Sequence, residues 1–256
     1  MAWALVIAGG GVLPLAAILG LVVSGTLISR RVVSHPTQDA VTIEVSGRLW
    51  WWEFRYLDEA SRPVAVTANQ LHHPAGRPAH FLLRSDNVIH SFWVPNLRGN
   101  TDLIPGQVNE IWMRPAEPGT YRGQCAEFCG TQHALMAFVV VVEPSERFAA
   151  WLEHQARPAV TMEAPLLVRG QEVFLAAGCG DCHAVRGTPA DGQLGPDLTH
   201  LGSRLTLAAA TLPKTRGHLG GWIADPQHVK PGNLMPSFAL PPADLLALLS
   251  YLEALR

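Results

Sequence analysis

The chain has 256 residues, room for one or two domains. Its formal charge of −2 leaves no broad basic field of the kind that binds nucleic acid. Hydrophobic residues make up 48% and charged residues only 16%, a balance that leans toward membrane association. The four cysteines fall in two close pairs, Cys125/Cys129 and Cys179/Cys182, which is not the scattered pattern of a disulfide framework.

The first predicted element is apolar. From Ala2 to Ile28 no side chain carries a charge. As a helix this run extends about 40 Å, enough to cross a hydrocarbon core of about 30 Å with some tilt. Gly9-Gly10-Gly11 and Pro14 weaken it locally, which membrane helices tolerate. A cleaved signal peptide calls for a basic leading region and a shorter apolar core, so residues 1–30 read as a retained single-pass anchor. Arg30 and Arg31 follow directly, and the positive-inside rule taken alone would put the rest of the chain in the cytoplasm.

From about Ala40 the pattern changes to short alternating runs. Val41, Ile43 and Val45 alternate with polar residues, and further runs cover 64–67, 81–83, 108–113 and 137–142. Pro63, Pro74, Gly76, Pro105-Gly106 and Pro118-Gly119 punctuate them, which predicts a β-sandwich or barrel. By composition, Trp50-Trp51-Trp52-Glu53-Phe54-Arg55-Tyr56 reads as a strand with one buried aromatic face.

Within this region the stretch from Gly123 to Met136 has the spacing Cys-x3-Cys-x3-His-x2-Met. Thiolate, imidazole and thioether suit a soft metal, whereas Mg and Ca want oxygen. A mononuclear blue-copper site uses one Cys, two His and a weak axial Met. The second cysteine points to two thiolates bridging two coppers, each needing its own imidazole. His133 is one, and His90, ahead of a short apolar strand, fits as the other. A Cys125–Cys129 disulfide would leave His90, His133 and Met136 unexplained, and a zinc site has no use for Met136.

Pro144-Ser145-Glu146 opens a predicted helix with Ser145 as its N-cap, running to about Gln155. Arg157-Pro158-Ala159 ends it, and the stretch to Pro165 reads as a linker. Beyond it, Cys179-Gly180-Asp181-Cys182-His183 is the Cys-x-x-Cys-His pattern of c-type haem attachment. A thioredoxin-like redox pair has no need of His183. The sixth iron ligand should lie downstream. Met235 is the best choice, since His/Met ligation raises the haem potential, with His200, His218 and His228 as rivals. Leu194-Gly195-Pro196-Asp197-Leu198 precedes an expected second helix of this region, and Pro241 to Leu255 reads as its last.

Together these motifs resemble subunit II of haem-copper oxidases, with its dinuclear copper (CuA) site, joined to a class I cytochrome c domain. The resemblance covers nearly the whole chain. It implies a multidomain α+β protein: a single transmembrane helix over 1–30, a cupredoxin-like Greek-key β-sandwich over 40–143, a helix and linker over 144–165, and an all-α cytochrome c domain over 166–256. The metal loop would join the last two strands of the sandwich. By the resemblance, Cys125 and Cys129 bridge the coppers, His90 and His133 ligate one each, and Met136 is the weak axial ligand. The carbonyl of Glu127 reaches one copper, and its carboxylate helps hold a Mg ion at the boundary with subunit I. Trp50 corresponds to the tryptophan between electron donor and copper pair, leaving Trp51 and Trp52 as packing residues. The stretch Leu97 to Gly106 also resembles the family, keeping Asp102 but carrying Asn100 where a lysine is usual. The family usually has two membrane helices, and this chain shows one.

The resemblance implies an electron-entry subunit of a terminal oxidase in the bacterial cytoplasmic membrane. A cytochrome c-type donor would supply electrons, which pass through haem c and CuA to subunit I, where O2 becomes water. Further membrane subunits are expected, and no nucleic acid. Haem c is normally attached outside the cytoplasmic membrane, which puts both cofactor domains on the periplasmic side, against the charge rule. A CuA-bearing subunit of a nitric oxide reductase and a free-standing membrane-anchored carrier are the alternatives.

Overall fold

A computed structural model describes residues 1–33 and 39–256. The chain divides into two units, 1–39 and 40–256.

The first unit is helical: α1 (Ala2–Ile7), a π-helical stretch (Ala8–Val12) and α2 (Leu13–Val33). The π stretch contains the three consecutive glycines, whose weak helix preference accommodates the wider turn. Ala2–Arg30, 29 residues, is long and apolar enough to cross a membrane. Its large side chains, Trp3, Leu13 and Leu21 among them, are exposed. The Ser24 and Thr26 hydroxyls donate to the Gly20 and Val22 carbonyls, both at 2.7 Å, so neither polar group needs water.

The second unit begins with a β-sandwich. One sheet contains β1 (Val41–Arg48), β2 (Trp51–Leu57), β3 (Pro63–Ala68), β5 (Ala79–Ser85) and β8 (Asn109–Met113), in the order β3-β2-β1-β5-β8. The other contains β4 (Gln70–Pro74), β6 (His90–Val94), β7 (Arg98–Leu103), β9 (Gly119–Cys125) and β10 (Ala137–Glu143), in the order β4-β10-β9-β6-β7. Parallel pairing of β1 with β5 and of β4 with β10 marks the crossovers between sheets. The inner faces bury Trp52, Phe54, Tyr56, Phe81, Phe92 and Phe138, a largely aromatic core. In β2, Trp51 to Phe54 are buried in succession, so the aromatic strand is covered on both faces.

α3 (Ser145–Ala156) covers the edge of the sandwich. Phe148 is buried, and Trp151 stacks on His72 with ring centroids 4.1 Å apart. Its N-cap is Pro144, not Ser145, with no side-chain cap; proline's fixed φ sets the chain direction and shifts the helix start by one residue.

The C-terminal part is helical. α4 (Pro165–Ala176) crosses α7 (Pro242–Ala254) at Gly170, where an added Cβ would lie 2.2 Å from the Ala247 carbonyl oxygen. Only glycine allows that approach. Phe174 packs on Tyr251 beside it. The second helix expected after Leu198 is displaced. Gly195-Pro196 and Gly202 interrupt the segment, which forms a short 3-10 turn (Leu201–Ser203) and a hairpin of β11 (Thr206–Leu207) and β12 (Leu212–Pro213). Helix resumes only at α5 (Arg216–Ala224) and α6 (Pro226–Val229), capped by the Thr215 and Asp225 side chains. At the hairpin tip Ala208, Ala209 and Ala210 take φ of 52°, 57° and 55°, a left-handed run that costs about 1–2 kcal/mol per residue.

This tip docks on the sandwich. Ala209 packs with Trp51 and Ala68, and its carbonyl accepts from the Ala137 N–H at 3.2 Å. The Leu205 N–H donates to Gln70 Oε1 at 2.8 Å, and the Arg48 guanidinium donates to the Gln193 carbonyl at 3.1 Å.

His73 on β4 is fully buried, and burial pushes its imidazole pKa down from 6.5 to about 4. Because the folded value lies below the unfolded one, the stability held at neutral pH is lost as pH falls from about 6.5 to 4, by about 3 kcal/mol. Urea unfolding at successive pH values should show this loss, and His73→Phe should flatten the curve across that window.

Candidate metal and haem sites

The copper-type ligands converge at one end of the sandwich. β9 delivers Cys125 at its last residue, β10 starts one residue after Met136, and β6 starts at His90. The loop is thus anchored in three neighbouring strands, with Cys125 opposite Phe92. Cys125 Sγ and Cys129 Sγ are 3.7 Å apart, and both thiols are free. His90 Nδ1 lies 3.8 Å from Cys125 Sγ, His133 Nδ1 3.7 Å from Cys129 Sγ, and Met136 Sδ 3.8 Å from Cys129 Sγ. The Glu127 carbonyl oxygen is 3.3 Å from Cys125 Sγ, while its side chain is exposed. His90, Cys125, Cys129 and Met136 are buried and His133 is half-buried.

Their neighbours hold the ligands in place. Asn87 Oδ1 lies 3.1 Å from His90 Nε2, which orients the ring with Nδ1 toward the sulfurs. Gly47 leaves room for that ring: an added Cβ would stand 2.7 Å from His90 Cδ2. The Trp52 N–H points to the Met136 carbonyl at 3.4 Å. The facing Cys129 sulfur, then His90, draw the Cys125 thiol well below its usual pKa, while the hydrogen bond with Cys125, then burial, push Cys129 up. Two adjacent sulfurs are a ready receptor for a soft cation. Asn100 donates to Ser91 Oγ at 3.2 Å, and Asp102 offers its carbonyl to Asn109 at 2.7 Å.

The haem-type motif lines a cavity of about 280 Å³. Cys179, Cys182 and His183 line it together with Met235. His183 Nδ1 donates to the Pro196 carbonyl at 2.7 Å, leaving Nε2 for a metal, and burial favours its neutral form. The loop bearing Met235 is built by Asn233 Oδ1, which accepts from the Met235 N–H, and by Gln227 Nε2, which donates to the Met235 carbonyl. None of the three rival histidines lines the cavity. His200 bonds the Arg157 carbonyl, His218 the Thr215 hydroxyl, and the His228 N–H sits on the Asp225 cap. These residues fit a covalent haem: paired thiols, an oriented imidazole, a thioether and apolar walls that include Phe174, Leu248 and Leu252.

The sandwich supplies the rest of the wall. Leu49, Trp50, Trp51 and Asn69 line the same cavity. The Trp50 N–H donates to the Cys129 carbonyl at 2.9 Å, so this indole touches the metal loop and borders the haem cavity. Trp51, expected only to pack, is also a cavity wall. Lys230, missed in the sequence, is buried between the domains, and burial pulls its ammonium down to about 8. Its one sequence signal is proximity to the Met235 loop.

These features define a class: a soft-metal β-sandwich domain docked to a c-type haem domain, behind an apolar helix long enough to span a membrane. Residues 57–143 match the family model for cytochrome c oxidase subunit II, periplasmic domain, and residues 167–256 match that for cytochrome c. The chain thus joins a domain of the cytochrome c oxidase subunit II type to a C-terminal cytochrome c domain. Its first domain therefore binds copper and its second haem c. It is 37% identical over 85% of its length to cytochrome c oxidase subunit 2 of Alkalihalophilus pseudofirmus, and 32% identical over 86% to that of Bacillus subtilis. It spans 62% and 63% of the length of these relatives. A solved periplasmic domain of subunit II from Bradyrhizobium japonicum is 29% identical, with a TM-score of 0.43, over 47% of this chain and 95% of that one.

Gly47→Ala would drive a methyl group into the buried His90 ring. Copper affinity should fall by about 10–100-fold, the range seen when the groups positioning a metal ligand are disturbed. Copper titration followed by EPR, with haem content as the internal control, checks this.

Proposed function

We propose that this chain is the electron-entry subunit of a membrane haem-copper oxidase. Electrons from a cytochrome c-type donor enter through the cytochrome domain and leave through the copper domain for subunit I, where O2 is reduced to water. Haem c and a dinuclear CuA centre supply the one-electron chemistry. The observation that carries the reading is Trp50, whose indole borders the haem cavity and donates to the Cys129 carbonyl at 2.9 Å.

In this reading Cys125, Cys129, His90, His133, Met136 and the Glu127 carbonyl would hold the copper centre. The soft donor set and the 3.7–3.8 Å spacing of sulfur and nitrogen atoms support it. Cys179 and Cys182 would hold the haem covalently, and His183 and Met235 would ligate its iron. The exposed Glu127 carboxylate is free to reach a Mg ion at the subunit I boundary, and exposed Phe128 beside it gives that face an apolar contact. Both domains lie on the periplasmic side, where haem c is attached, with the N-terminal helix as the membrane anchor.

The apolar surroundings of both sites favour this reading. Such walls suit electron passage with little reorganisation of solvent.

Cys129→Ser removes one bridging thiolate and leaves the haem motif untouched. In the complex purified from native membranes, O2 consumption with reduced cytochrome c should fall to background while the haem is still reduced by the donor. Full O2 turnover without copper would rule the route out. Consumption of NO with little O2 uptake by the unaltered complex would move the same electron path to a nitric oxide reductase.

A further inference from the structure

The two loops that carry the downstream ligands of each site touch one another. Gln132, next to His133, donates its side-chain amide to the Pro231 carbonyl at 2.6 Å. Pro231 follows Lys230 in the loop leading to Met235. The Lys230 ammonium crosses the same boundary and donates to the Trp50 carbonyl at 2.9 Å and the Leu135 carbonyl at 3.0 Å. Leu135 stands between His133 and Met136, and its carbonyl also accepts from the Thr211 hydroxyl at 3.3 Å.

Lys230 is only 3% exposed and, among the described residues, makes no ion pair with a carboxylate. A buried ammonium without a counter-ion is costly unless its donors find acceptors. Both carbonyl acceptors lie on the other domain, so in the docked arrangement the ammonium exchanges water for two carbonyls of the sandwich domain. A lysine serving the cytochrome fold alone would find its partners within that fold. Here the charge has been placed between the Trp50 segment and the copper loop.

We infer that Lys230 is a positioning residue that pins the haem-ligand loop to Trp50 and the copper loop, fixing the separation across which electrons pass. Undocking would break both ammonium bonds and release the Met235 loop from Gln132. The hairpin tip of Ala208–Ala210 makes the second contact, and its left-handed backbone needs an external support of this kind. The inference rests on the electron route proposed above, but the pin itself has a readout independent of that route.

That readout is a pair of backbone amides. The Leu205 N–H donates to Gln70 Oε1 and the Ala137 N–H to the Ala209 carbonyl, so their hydrogen exchange reports docking. The test is Lys230→Met in the complete complex, with haem absorption and copper EPR as controls on loading. The expected result is loss of protection at both amides and haem-to-copper transfer slowed by at least about tenfold after photoreduction of the haem, since small misplacements of reacting groups lower rates steeply. Wild-type protection together with a wild-type transfer rate would overturn the inference. Should Lys230→Met fail to load copper, Gln132→Leu decides: faster exchange at the two amides supports the pin, and unchanged exchange overturns it. If the unaltered complex, fully loaded, shows no haem-to-copper transfer, the electron route fails, and amide protection alone then upholds or overturns the pin.

Discussion

The hydrogen bond from the Trp50 indole to the Cys129 carbonyl is the constraint on which the rest of the second unit is arranged. It requires β1 and β2 to turn at Leu49-Trp50, directly beside the metal loop. It requires Gly130, with φ of 108°, to leave space for the indole, because an added Cβ would stand 3.2 Å from its ring. It leaves the other side of the ring against the haem cavity. A side chain tied to a ligand's own backbone cannot drift relative to that ligand. The copper loop and the cavity wall are therefore one rigid feature, supported by the fully buried Trp52 two residues along the chain.

Docking of the cytochrome domain trades local strain for contact. Three alanines in the left-handed region are unfavourable in isolation. They form the tip that seats Ala209 against Trp51 and Ala68 and presents carbonyls to Ala137 and Arg122. The buried lysine follows the same logic, its desolvation offset by two carbonyls that the other domain offers. Unfavourable local choices that agree with one another across an interface mark a contact tied to function more readily than an ordinary apolar patch does.

That the chain carries a copper-type and a haem-type domain was legible because each motif depends on residue type and spacing. Cys-x3-Cys-x3-His-x2-Met and Cys-x-x-Cys-His each gather metal-binding side chains within a few residues, and the apolar helix states its length directly. The sandwich was legible from alternation and turn residues. What escaped was set by contacts between distant segments. Trp51 looked like packing because nothing local shows that a cavity 130 residues downstream uses its face. Lys230 was passed over because its partners, Trp50 and Leu135, lie far from it in sequence. The second cytochrome helix does follow Leu198, but only at α5, because a 3-10 turn and the β11–β12 hairpin intervene. The Ser145 cap failed for a local reason, since Pro144 already fixes the backbone entering α3.

The segment between the domains extends the argument from contact to kinetics. The sequence of 157–165 reads as a linker, and a free linker would make docking an encounter at an effective concentration set by its length. The structure fastens it. The Ala159 N–H donates to the Arg186 carbonyl at 2.9 Å, and Ala159 and Met162 pack against the cytochrome core. Arg186 in turn donates to the Gln155 and Ala156 carbonyls at the C-terminal end of α3, where a cation also meets the negative end of the helix dipole. Since α3 packs on the sandwich through Phe148 and Trp151, the chain between the two sites is secured at both ends. The cytochrome domain thus approaches the copper loop already oriented, with little rotational freedom left to lose. Docking at an effective concentration set by a free linker is thereby replaced by a fixed geometry within the chain.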